Sequence, residues 1–139
     1  PRNSTALLDA IGMAIRSNGE RLLMMPSWTR PAHVIFVIVT DGQENASHDF
    51  KLSQIFKMIK HQRETYSWNF IFLAANQDAI KEGESMGMNR GHTMTYAANA
   101  GGTADAYRAV NGLTSAIRAK VSGASFSDAD RQEQKDAGA

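Results

Sequence analysis

The stretch Val34–Ser47, VIFVIVTDGQENAS, places six consecutive apolar residues directly before a polar run whose first carboxylate is Asp41. An apolar run without alternation predicts a strand buried on both faces, as in parallel sheets that are covered by helices. In open parallel sheets the binding crevice lies beyond the carboxyl ends of the strands. Asp41 is therefore predicted to stand where such folds bind their ligands.

The segments around this strand alternate between helix-like and strand-like patterns. Amphipathic segments with apolar residues at three- and four-residue steps predict helices, and short apolar runs predict strands. Gly87 is expected to end one helix and Thr103 to cap the start of another. The predicted elements, in chain order, are a helix at 5–23, a strand at 33–40, a helix at 48–66, a strand at 68–75, a helix at 79–86, a strand at 92–97 and a helix at 104–121.

This order of elements predicts right-handed crossover connections between parallel strands. The expected fold is α/β, a Rossmann-like three-layer parallel sheet with flanking helices. The chain has 139 residues, which suits one domain, and residues 1–122 are predicted to form it. Beyond Ser122 the composition is polar, with Phe126 as the one large apolar residue, so residues 123–139 are predicted to be a disordered tail.

Composition excludes several classes of protein. The 15 Lys and Arg residues nearly balance the 14 Asp and Glu residues, and a net charge of +1 gives no case for nucleic acid or an anionic membrane as a partner. The six-residue apolar run falls far short of the roughly 20 residues that span a bilayer. The chain has no cysteine, which rules out disulfides and thiolate metal sites. We expect a cytoplasmic protein.

Two motifs carry a resemblance to a known family. NSTALLDAI at residues 3–11 opens the first helix, and TDGQENAS at residues 40–47 follows the first strand. Together they resemble the von Willebrand factor A (vWA) domain. The likeness is strongest to bacterial vWA proteins of unassigned role, and WNFIFLAAN at residues 68–76 strengthens it. The resemblance covers residues 3–121 and implies strands four to six of a vWA fold.

The resemblance implies a metal-ion-dependent adhesion site at which Thr5 and Asp41 are metal ligands. Mg²⁺ or Mn²⁺ suits such a site, because these hard ions prefer oxygen ligands and keep water where the protein supplies none. In the family an acidic side chain of a protein partner completes the coordination. The implied function is a protein-interaction module rather than an enzyme.

One part of the family pattern is missing. The principal metal motif, Asp-x-Ser-x-Ser at the end of the first strand, does not occur in the sequence. We therefore expect the chain to be the C-terminal portion of the domain, truncated at its N-terminus, with weak or absent metal binding of its own. Without the missing strands, the strand at 33–40 would have an exposed edge, and such edges favour self-association.

Two other classes remain open. A strand-end aspartate can hold Mg²⁺ or accept a phosphoryl group, so Asp41 also fits a small Mg-dependent phosphate-handling α/β enzyme. A purely structural, self-associating element is the third reading. No arrangement of Ser, His and Asp resembles a nucleophile with its base, and we expect no catalytic activity.

Overall fold

Helices and strands alternate along the chain in the order that the sequence predicts. The computed structural model describes residues 6–41, 47–75 and 78–139. Short 3₁₀ turns occur at Ser27–Thr29 and Arg90–His92. The longer elements are α1 (Leu7–Met24), β1 (Ile35–Thr40), α2 (Leu52–Tyr66), β2 (Asn69–Ala74), α3 (Ala79–Ser85), β3 (Thr93–Thr95), α4 (Ala100–Arg118) and α5 (Asp128–Asp136).

The three strands form one parallel sheet with β2 in the centre. β1 pairs with β2 from Ile35 opposite Asn69 to Thr40 opposite Ala74, and β2 pairs with β3 through Phe72 opposite Thr93. The residues of β2 beyond Asn69 are buried, as a central strand covered on both faces requires. The predicted three-layer parallel α/β fold is confirmed.

One face of the sheet packs against α1, α2 and α3. Trp68 lies just before β2, and the ring of Phe36 stacks on Trp68 at a centroid distance of 5.3 Å and on Phe70 at 5.5 Å. Gly12 of α1 lies so close to Phe50 that a Cβ there would stand 2.6 Å from the ring. The buried side chains of this layer come from α1, α2 and β2, among them Leu7, Ile11, Ile15, Ile55, Ile59, Phe70 and Phe72.

The opposite face of the sheet packs against α4. The buried residues of α4 recur at three- and four-residue steps and include Ala106, Val110, Leu113 and Ile117. Val121, the next residue at this spacing, is exposed because α4 ends at Arg118. The start of α4 also differs from the prediction: Asn99 is the N-cap, its Oδ1 accepting from the amide of Gly102 at 2.8 Å, and Thr103 lies inside the helix.

The strand β1 is less buried than its apolar sequence predicts. Val37 and Val39 are 43% and 45% exposed. Their register partners in β2 are Ile71 and Leu73, which lie under α4. On this face of the sheet, α4 packs against β2 and β3 but not against these two valines. One face of β1 is therefore open to solvent.

The prediction that residues 123–139 form a disordered tail is wrong. Residues of this segment form α5, whose N-cap Ser127 shares a reciprocal capping box with Asp130. Phe126 is buried in the α4 layer, and the side chain of Gln134 is 1% exposed. One aromatic ring and one buried amide thus fix a segment whose average composition is polar.

Candidate functional site at the carboxyl end of the sheet

The strands end side by side and form a shared rim. Thr40 pairs with Ala74 at the ends of β1 and β2. The parallel hydrogen bonding continues past the strands: the amide of Ala75 donates to the Thr40 carbonyl at 3.1 Å, and the amide of Tyr96 donates to the Ala74 carbonyl at 3.0 Å. Asp41, which follows Thr40, stands on this rim beside the ends of the other strands.

The rim combines an exposed carboxylate with a buried phenol. Asp41 is exposed, whereas Thr40 and Tyr96 are buried. Burial raises the pKa of the Tyr96 phenol, and the charges of Asp41 and of Tyr107 act in the same direction. Tyr96 is therefore a neutral hydroxyl at physiological pH, and the Asp41 side chain is the acidic group of the rim that is exposed to solvent.

A second carboxylate, Asp9 in the first turn of α1, organises the segment that leads into α2. Its Oδ2 accepts from the amide of His48 at 2.9 Å, and its Oδ1 accepts from the amides of Asp49 at 3.0 Å and Phe50 at 2.9 Å. In return, the amide of Asp9 donates to the Ser47 hydroxyl at 3.1 Å. These four hydrogen bonds join the amino end of α1 to Ser47, the last residue of the TDGQENAS motif, and to the three residues that follow it.

The sequence gives no sign that Asp9 binds a distant segment of the backbone. An acid in the first turn of a helix indicates a favourable interaction with the helix dipole and gives no sign of a distant partner. The backbone hydrogen bond from His48 is the largest influence on the Asp9 pKa; those from Phe50 and Asp49 add to it, and together they outweigh desolvation and lower the pKa. Hydrogen bonds to the charged form of an acid have this effect.

The hydrogen bonds of Asp9 predict that the fold becomes less stable as the pH falls through the acid range. Because folding lowers its pKa, the charged carboxylate stabilises the fold above the ordinary aspartate pKa of about 3.9, and that contribution is lost as the pH falls through the lower, folded value. Asp9→Asn should be less stable than the parent at neutral pH and should lose less stability on acidification. Urea unfolding at a series of pH values from neutral to acidic measures both effects.

The control for that experiment is Glu64→Gln, which neutralises an exposed carboxylate on α2. This variant should keep the parent's acid sensitivity in the range where Asp9 titrates. An Asp9→Asn protein whose stability follows the parent's at every pH would contradict the proposed role of the carboxylate.

The structure describes one of the two predicted metal ligands, Asp41. Asp41 lies at the end of β1, on the rim where the sequence predicts a ligand-binding position. Thr5 lies outside the described residues. Among residues 6–41, 47–75 and 78–139, no three His, Asp or Glu side chains come together in a group that could hold a metal ion. The assignment of Thr5 and Asp41 as ligands stays a prediction.

Comparison with protein family models, curated proteins and solved structures finds no match to this chain. Within the described part of the chain, no helix has both the length and the apolar character needed to cross a bilayer.

Proposed function

We propose that this chain belongs to a vWA-like protein-interaction module, in which the carboxyl rim of the sheet binds a partner through Mg²⁺ or Mn²⁺. Thr5 and Asp41 supply oxygen ligands, and an acidic side chain of the partner protein completes the coordination. The observation that carries the proposal is the exposed carboxylate of Asp41 at the end of a parallel strand, where open α/β sheets bind ligands.

The hydrogen bonds of Asp9 support a common location for the two ligands. Asp9 follows Thr5 by four residues, which span at most about 14 Å. It holds the segment from Ser47 to Phe50, which begins six residues after Asp41 in the chain and precedes α2. The amino end of α1 and the connection after β1 are thus fastened to each other.

The chemistry of the ion explains why a partner would be needed. Mg²⁺ prefers six oxygen ligands and gives up its water reluctantly. One hydroxyl and one carboxylate leave most coordination positions to water, so binding by this chain alone is weak. A metal with few anionic ligands keeps positive charge, which favours the carboxylate of a partner.

Weak binding is measurable with Mn²⁺, because this paramagnetic ion broadens NMR signals of nearby nuclei even at low occupancy. In the parent protein, we expect Mn²⁺ to broaden the amide signals of the rim around Asp41 first, and excess Mg²⁺ to reverse the effect. Asp41→Asn and Thr5→Ala should each reduce this local broadening. The charge-matched control Glu64→Gln should leave it unchanged. Broadening that is centred elsewhere, or that survives Asp41→Asn, would refute the metal site.

The open edge of β1 favours a second candidate, a self-associating structural element. Among the described residues β1 pairs with β2 alone, so the backbone groups of its other edge have no strand partner. Val37 and Val39 add exposed apolar surface beside that edge. Edges of this kind pair with further strands unless charge or cover prevents it.

Sedimentation velocity over a range of protein concentrations tests this candidate. We expect the parent to form dimers or larger species as its concentration rises. Val37→Lys and Val39→Lys should shift it towards monomer, because a charge beside an edge opposes pairing. Val121→Lys replaces an equally apolar, exposed residue outside the sheet and should leave the association unchanged. A parent that stays monomeric at the highest concentration would contradict self-association.

A further inference from the structure

Two adjoining cavities, together called the groove, lie between α1 and α2 at the amino end of the sheet, away from the rim that carries Asp41. An inner cavity of about 320 Å³ reaches Val34 and Trp68, which directly precede β1 and β2. An outer cavity of about 390 Å³ follows the two helices. The two cavities share part of their walls, formed by Gly19, Leu23, His61 and Gln62.

The wall of the inner cavity combines aromatic and aliphatic side chains with polar groups. Trp68 is buried, while Tyr66, which also lines the cavity, is half exposed. The His61 ring meets the Tyr66 ring edge-on at a centroid distance of 5.7 Å, and its Nδ1 lies 3.3 Å from the Thr65 hydroxyl. These contacts hold the rings in place and leave a cavity suited to an apolar or aromatic group.

Fixed positive charge stands at the inner cavity. Arg30 lines it, and its guanidinium is anchored at the carboxyl end of α1: Nε donates to the Met25 carbonyl at 3.1 Å and Nη2 to the Leu23 carbonyl at 3.1 Å. Within the described part of the chain, Arg30 forms no ion pair. An anchored cation without a counterion can bind an anion with little loss of side-chain freedom.

The outer cavity extends the same charge. Arg16 and Lys57 line it, and Glu20 is the one carboxylate in its wall. In the described residues neither Arg16 nor Lys57 has an ion-pair partner. The Arg16 guanidinium lies over the Phe50 ring, 5.0 Å from its centroid. Arg30 and Lys57 are therefore the cations that remain to attract an anion, against the one carboxylate of Glu20.

Gly19 lies in the wall that the two cavities share. A Cβ built there would meet only the Trp68 ring, at an ordinary 3.9 Å. The position therefore has room for a side chain, and a long side chain at Gly19 would occupy the space where the two cavities meet.

We propose that this groove binds a small amphipathic anion: an apolar body with one carboxylate head. The body occupies the inner cavity beside Trp68, and the carboxylate pairs with the guanidinium of Arg30. A cavity of this size lies at the lower end of the roughly 300–1,000 Å³ that small-ligand sites occupy, which suits a single ring or a short chain. The site is independent of the proposed metal site at the opposite end of the sheet.

Trp68 provides a direct measurement of binding. The chain has two tryptophans, and Trp28→Phe removes the exposed one, which lines neither cavity. In this background we expect saturable changes of Trp68 fluorescence with 4-phenylbutyrate and with decanoate, and comparison of the two affinities distinguishes an aromatic acid from a fatty acid. The neutral analogue 4-phenylbutan-1-ol should bind at least about tenfold more weakly, because it lacks the charge-assisted hydrogen bond.

Two substitutions locate the binding. Gly19→Leu should abolish the fluorescence response by filling the groove, while Gly112→Leu, on the open surface of α4, should leave it unchanged. Arg30→Gln should weaken both acids at least about tenfold and leave the alcohol unaffected. Thermal melting confirms that each variant is folded, and Gly19→Gln, which also places a long side chain in the groove, replaces the leucine variant if that one unfolds. The proposal is overturned if neither acid gives a saturable response at millimolar concentration, if the alcohol binds as well as the acids, or if the folded Gly19 variant binds like the parent.

Discussion

Replacing Gln134 with alanine should lower the free energy of unfolding by about 2–4 kcal/mol and loosen the contact of α5 with the rest of the fold. The Gln134 side chain is buried between α5 and the start of α4. Its Oε1 accepts from the amide of Ala97 at 2.8 Å, and its Nε2 donates to the Gly102 carbonyl at 2.9 Å. Alanine would leave the buried amide of Ala97 without its partner, which costs about 1–3 kcal/mol. It would also remove the second hydrogen bond of the Gly102 carbonyl, a group that α4 already pairs through its helical hydrogen bonding, at about 0.5–1.5 kcal/mol.

Urea unfolding measures the total loss, and hydrogen exchange shows where it acts. The amides of α5 and of Ala97 should exchange faster in Gln134→Ala, whereas those of β2 should keep their order of protection. Gln132→Ala is the matched control, because Gln132 lies on the same helix and is exposed. It should change stability by less than about 0.5 kcal/mol. Equal stabilities of the two variants would contradict the bracing role of Gln134.

Replacing Phe72 with alanine should have the largest effect of any single truncation in the sheet, about 3–5 kcal/mol. Phe72 is 0% exposed, lies on the central strand and contacts the sheet-facing side of α3 at Gly83. Truncation removes apolar contacts on every side and leaves a cavity that neighbours on a paired strand cannot collapse to fill. Domains are stabilised by only about 5–15 kcal/mol in total, so this loss removes a large part of the stability and should lower the melting temperature by several degrees.

The matched control is Phe56→Ala on α2, where the same side chain is 39% exposed. Its loss should be less than half that of Phe72→Ala when both are measured by urea unfolding at 25 °C. Phe72→Leu should recover most of the stability, because it restores apolar volume. A Phe72→Ala protein as stable as Phe56→Ala would show that the centre of the sheet does not carry the core.

The sheet could be predicted because its strands lack alternation. The apolar run from Val34 to Val39 and the run in WNFIFLAA each specify a strand with two apolar faces, and the amphipathic segments between them supply the crossover helices. The pattern does not reveal how far a helix on one face extends sideways. The exposure of Val37 and Val39 could therefore not be predicted from the apolar pattern.

Polar contacts between distant segments were the part that the sequence could not supply. Composition assigned residues 123–139 to a tail, because averages over a window do not register a single buried amide such as that of Gln134. Asp9 was overlooked for the same reason, since its partners are backbone amides, which carry no sequence signature. At the candidate site, the sequence could predict the position of Asp41 alone, because that position depends only on where β1 ends.

The parallel arrangement of the strands has a consequence for how the molecule folds. No neighbouring pair of strands can form first as a local hairpin, since α2 intervenes between β1 and β2, and α3 between β2 and β3. The entropy of closing each connection is spent before strand pairing compensates for it. We therefore expect a transition state in which α2 is already formed and holds β1 against β2, and kinetics slower than those of helical bundles of the same length.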